Sequence, residues 1–317
     1  MLVTSHRRLS RLLAGLAWCV ATASIAAPGD PIAAVPLATE GFLLKLPDGA
    51  HARFQGMLDT DRLGGAAGTM AYPSVGGGLV GALAAVATHA VIVSSTNSSR
   101  RSEAQVAADR ILDPHKASVA EVTHGALLQA ATAPLAVPGI RHQATDLPAG
   151  GWVVHSVPVY SMSVGANALV LENQLSVRSA ERPDDIRYQT VIRVVSAPRD
   201  PDTDAQAYWS DAREPRLQRV SLAMYTHSLR LLIEAASFEG KLPPHKSVRY
   251  VQGDVTKVER GHLIRQQCGR AVLQTLRGEW MSVPMRPAPA APAAPASAAE
   301  PDMVPVPDAC GDEGYAL

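Results

Sequence analysis

Three segments decide the fold: Trp152-Val-Val-His-Ser-Val-Pro-Val-Tyr-Ser-Met162, Ala168-Leu-Val-Leu-Glu-Asn-Gln-Leu-Ser-Val177 and Arg187-Tyr-Gln-Thr-Val-Ile-Arg-Val-Val195. Each is rich in β-branched residues and partly alternates apolar with polar, the pattern of a half-buried strand. Gly165-Ala-Asn167 separates the first two, a turn that predicts an antiparallel hairpin. Pro158 lacks an amide donor and fits a strand edge or a bulge.

Downstream, residues 205–238 predict a helix that breaks at Pro215. Leu217, Val220, Met224, Leu229, Leu232, Ile233 and Ala236 supply its apolar face. Ser247 to Val251 and Val255 to Glu259 flank Gln252-Gly-Asp254, a hairpin signal. Gly261 to Gly278 fits two templates. Leu263, Ile264, Cys268, Ala271, Val272 and Leu276 suit a helix, which is the reading adopted. The alternative is a meander turning at Cys268-Gly269 and Arg277-Gly278.

Upstream, Gly41 to Leu46 and Ala52 to Leu58 predict two strands around the turn Pro47-Asp-Gly49. Ser74 to Asp113 predicts one long Gly/Ala-rich apolar helix that starts after Pro73 and stops at Pro114. Gly77, Gly81 and Ala85 form a small-residue row along it, a seam for close helix packing or for a membrane. Residues 75–93 have the length of a bilayer span, but the glycines and the Thr88-His89 pair favour a buried helix. Glycines 76, 78 and 81 mimic a dinucleotide loop without a preceding strand, so they read as packing residues. A second helix is expected over 117–131.

Residues 1–26 read as an export signal: Arg7, Arg8 and Arg11 precede an apolar core, and Ser24-Ile-Ala26 offers a cleavage site. Lipidation at Cys19 is disfavoured by Trp18. Twin-arginine export is disfavoured by Ser10. The whole chain of 317 residues balances 29 basic against 29 acidic side chains. Without the three signal arginines the balance is 26 to 29, a net charge of −3. That charge, with 4% aromatic residues, gives no basis for nucleic-acid binding. After signal removal Cys268 and Cys310 remain, either as a disulfide in an oxidising compartment or as a buried hydrophobe and a tail thiol. Residues 284–317 are Pro/Ala-rich and read as a disordered tail.

Asp200, Asp202, Asp204 and Asp211 occupy positions one, three, five and twelve of a calcium-loop spacing. Ala205 stands where that loop needs glycine, so an acidic loop capping the next helix is the preferred reading. No serine elbow, phosphate loop, paired-cysteine motif or zinc-protease helix is present, and no cofactor is expected. The export signal, the Gly-rich helix with its Asn97-Ser-Ser-Arg-Arg101 exit and the closing Arg277-Gly-Glu-Trp-Met-Ser-Val-Pro284 segment resemble uncharacterised exported proteins of Gram-negative bacteria. That resemblance implies a compartment and no activity.

The expectation is an α+β fold with an antiparallel sheet and packed helices. It divides into an N-terminal lobe over 27–150 and a second lobe over 151–283. The expected function is a non-enzymatic, periplasmic or envelope-associated module that binds a protein partner or a membrane surface. A single-span anchor at 75–93 and a calcium- or small-molecule-responsive binder are the alternatives.

Overall fold

The computed structural model describes residues 34–58, 95–133, 137–141, 150–200, 202–210 and 215–285. Three long strands form its centre: β4 (Trp152–Met162), β5 (Leu169–Ser179) and β6 (Ile186–Val195). They are antiparallel neighbours, as the alternation predicts, and the β4–β5 connection turns through Gly165 at φ 75°.

The sheet they belong to is not antiparallel, which corrects the expected fold class. Ten strands form one mixed sheet, ordered β3 (Ile140–Arg141), β1 (Phe42–Lys45), β4, β5, β6, β10 (Trp280–Pro284), β9 (Arg270–Thr275), β8 (Val255–Gln267) and β7 (His245–Gln252), with β2 (Arg53–Gly56) beside β4. β1 (Phe42–Lys45) and β2 (Arg53–Gly56) both run parallel to β4, against its first and last thirds. They do not pair with each other around the predicted turn. Pro158 falls between the two pairings, where its missing amide leaves no bond unmade on that edge. β3 (Ile140–Arg141) lies outside β1. On the other side β10 (Trp280–Pro284) runs parallel to β6.

The long apolar helix is the second correction: the described residues contain none. α1 is a single turn, Leu37–Glu40, and α2 (Ser95–Asp109) is polar. A 3-10 turn, Arg110–His115, then carries the chain through Pro114 into α3 (Lys116–Ala120). Pro114 therefore does not stop the helical path: it lies inside the 3-10 turn, one residue before His115, the N-cap of α3. Gly77, Gly81, Ala85 and the segment 75–93 lie outside the described residues. No helix among those described is long and apolar enough to cross a membrane.

The second predicted helix is divided. α3 ends at Ala120, and α4 (His124–Thr132) restarts with the Thr123 hydroxyl accepting from the Ala126 amide. α2 rests on β2 through Gly56. The Gly56 amide donates to Asp109 Oδ1, Gln105 Nε2 donates to the Gly56 carbonyl, and a Cβ at Gly56 would stand 2.0 Å from the Ala108 carbonyl oxygen.

α5 (Ala205–Trp209) and α6 (Arg216–Ala236) flank Pro215, as expected. The apolar stripe of α6 covers one face of β4, β5 and β6. Leu217, Met224, Leu229 and Leu232 pack there against Val154, Leu171, Leu175, Ile192 and Val194, all essentially inaccessible. A polar seam crosses this core. Ser156 donates to Asn173 Oδ1, Asn173 Nδ2 donates to Ser228 Oγ, and the Tyr225 hydroxyl donates to Ser156. The Tyr160 hydroxyl donates to the Ser221 carbonyl. Every group in the seam is partnered, which makes its burial tolerable.

The region read as a helix over 262–277 is sheet, the third correction. β7 (His245–Gln252), β8 (Val255–Gln267) and β9 (Arg270–Thr275) lead antiparallel into β10. Cys268 and Gly269, at φ 53° and 68°, make the two-residue turn between β8 and β9. Positive φ at both central residues matches the right-handed twist of a hairpin. Tyr250 bridges to Met285, so β7 curls back toward the end of β10. A second core of Val248, Tyr250, Leu273, Met281 and Val283 fills the curl, on the sheet face opposite α6.

Candidate functional site: a basic patch on the open sheet face

Side chains alternate across a sheet. The residues of β4, β5 and β6 that do not face α6 therefore form an opposite face, and β1 contributes to it through its parallel register. Lys45 pairs with His155, His155 with Ser176, Ser176 with Gln189, and Arg178 stands one step along the same face beside Val153. Four adjacent strands thus deliver Lys45, His155, Ser176, Arg178 and Gln189 to one patch. Val153 and Val157 lie among them, and Val157 is 41% exposed.

The electrostatics of this patch have one sign. The charged groups that act on His155 are Arg178 and Lys45. Together with partial burial, the larger effect, they hold its pKa below the ordinary 6.5. The far end of the same face is balanced instead. There Arg193 pairs with Glu172, and the Arg193 guanidinium is held above its usual range against the opposing effect of burial.

The hydrogen bonding of the patch is incomplete. Gln189 is 6% exposed, yet neither its amide oxygen nor its amide nitrogen has a partner. Arg178 donates from Nη1 to the Pro183 carbonyl, while its buried Nε is unpartnered. Buried polar groups are normally satisfied, because an unmet one costs about 1–3 kcal/mol. An unpartnered amide and an unpartnered guanidinium nitrogen on the same face as a lysine suit an anion that accepts several hydrogen bonds at once.

The positions singled out in the sequence do not join this patch. Cys268 sits at the β8–β9 hairpin tip, far along the chain from Cys310, which lies outside the described residues. The acidic loop is divided in role: Asp204 caps α5 by accepting from the Ala207 amide, and Asp200 accepts from the Asp202 amide. Asp211 lies outside the described residues. No group of three or more His, Cys, Asp or Glu among those described is placed to hold a metal ion.

A serine–histidine contact elsewhere has a structural explanation. Ser282 Oγ accepts from Arg270 Nε at 3.1 Å and lies 2.9 Å from His227 Nε2. The serine proton therefore points to the histidine, whose pKa is pushed down to about 3, first by burial and then by Arg270, Arg265 and Arg230. Ser282 is fully buried within β10, so this contact ties α6 to the sheet. A groove of about 510 Å³ between α2 and β2 is lined by His51, Phe54, Asp109, Arg110, Asp113 and Lys116. It mixes both signs of charge and has no counterpart to the unmet Gln189.

Sequence reading missed every residue of the patch. Each is an ordinary polar position in a half-buried strand, and only the β1–β4 register brings Lys45 to His155. The available signal was the absence of acid at alternate positions of Trp152–Met162. No family model matches the chain, and no curated protein or solved structure matches it either.

Proposed function

We propose that this chain is an exported, envelope-associated, non-enzymatic binding module whose open sheet face docks on an anionic lipid surface. The observation that carries the reading is Gln189: a nearly inaccessible amide with both atoms unpartnered, on the same face as the buried, unpartnered Nε of Arg178. The exposed Lys45 and the Arg178 guanidinium supply the charge that a phosphodiester headgroup meets on that face. The exposed Val157 and its neighbour Val153 suit the apolar side of the headgroup layer, and each basic side chain at an anionic surface contributes about 1 kcal/mol. The compartment follows from the basic and apolar character of residues 1–26. A Cys268–Cys310 disulfide belongs to the same proposal.

Co-sedimentation with vesicles tests it. Binding is expected to phosphatidylglycerol vesicles, not to phosphatidylcholine, and is expected to fall as salt rises. Arg178→Glu reverses one of two fixed cations and is expected to weaken binding at least about tenfold, the equivalent of ~1.4 kcal/mol. Equal binding to both vesicle types, or an Arg178→Glu variant that binds like the parent, contradicts the proposal.

A further inference from the structure

We infer that His245 and His262 form a two-imidazole site for a divalent transition-metal ion of the zinc and copper class, independent of the open-face patch. The two residues are directly paired across β7 and β8, and their ring centroids are 4.0 Å apart at a tilt of 42°. Two imidazole nitrogens bound to one ion at about 2.0–2.1 Å stand roughly 3 Å apart, so rings this close are within reach of a common ion.

The second observation concerns the proton. His262 Nδ1 is hydrogen-bonded to the carbonyl oxygen of Pro243. A carbonyl can only accept, so Nδ1 carries the hydrogen and the lone pair of the neutral ring is at Nε2. This is the arrangement by which a backbone carbonyl orients a metal-bound histidine. The ring is thereby set before any ion arrives. Gln274 pairs with His262 on β9 and places an amide on the same face. Water completes the coordination, since the described residues supply only two strong ligands there.

Arg260 stands two residues before His262, opposite Ser247 on that face, and its charge opposes a cation. The affinity is therefore expected in the micromolar range. Copper should bind more tightly than zinc, as neutral imidazole sites generally prefer.

The experiment titrates the full chain, without an affinity tag, with Cu2+ and separately with Zn2+ by calorimetry, and records the electron paramagnetic resonance of the copper form. One ion per chain is expected, with hyperfine splitting from two nitrogens. His245→Gln and His262→Gln are each expected to weaken binding at least about tenfold, as loss of one of two ligands requires. His124→Gln, in α4, serves as the control and is expected to change nothing. Circular dichroism establishes that both variants keep the parent fold. The inference is overturned by the absence of uptake at millimolar metal, or by uptake that survives both substitutions.

Discussion

Acidification from pH 7 to pH 4 is expected to remove up to about 3 kcal/mol of stability through His227 alone. The ordinary histidine pKa is 6.5, and in the folded chain that of His227 is pushed down to about 3. Between those values the unfolded chain binds a proton that the folded chain refuses. Stability therefore rises with pH across that window and is lost as pH falls through it. The physical cause is desolvation first, followed by the repulsion of Arg270, Arg265 and Arg230. Protonation would also replace the lone pair that receives the Ser282 hydroxyl. Urea unfolding at pH 7, 5.5 and 4 measures the effect. His227→Gln keeps an acceptor for Ser282 and cannot ionise, so its stability should change with pH less than the parent's by that amount. Parallel pH profiles for the two proteins would remove His227 as the source.

Asn173→Leu is expected to destabilise the fold by about 3 kcal/mol, although leucine is apolar and of similar size. Asn173 is inaccessible and central to the seam: it accepts from Ser156 and donates to Ser228. Its loss leaves two buried hydroxyls with fewer partners, and each unmet group costs about 1–3 kcal/mol. The asymmetry of hydrogen-bond energetics supplies the control. Adding Ser156→Ala, Ser228→Ala and Tyr225→Phe removes the stranded hydroxyls together with the Tyr225 hydroxyl that Ser156 receives, so the quadruple variant should regain most of the loss. Chemical denaturation of the single and quadruple variants decides it. If the quadruple variant is less stable than the single one, the seam contributes by shape rather than by hydrogen bonding.

The parts of this fold that were legible in the sequence are local. Alternation in Trp152–Met162 and its two neighbours identifies three strands. Gly165 and Gly253 mark turns, and Pro215 marks a helix start. The hairpins after Gly261 match the alternative meander rather than the helix adopted. A register shift between Leu263 and Arg265 inserts an extra residue at Ile264. That bulge breaks the two-residue period and leaves Leu263 and Ile264 spaced as if on a helix. Parallel pairing of β6 with β10, and of β1 and β2 with β4, has no local signature, because the partners are separated by long stretches of chain. The same distance hid the basic patch, whose members come from four strands.

Gln189 is proposed to be kept for a ligand rather than for the fold. Gln189→Leu separates the two, measured as unfolding free energy and as binding to phosphatidylglycerol vesicles on the same preparation. Leucine removes two unmet polar atoms from a nearly inaccessible position. A gain of about 1–2 kcal/mol in stability together with a loss of vesicle binding is expected. A variant that is less stable than the parent yet binds vesicles equally well would contradict it.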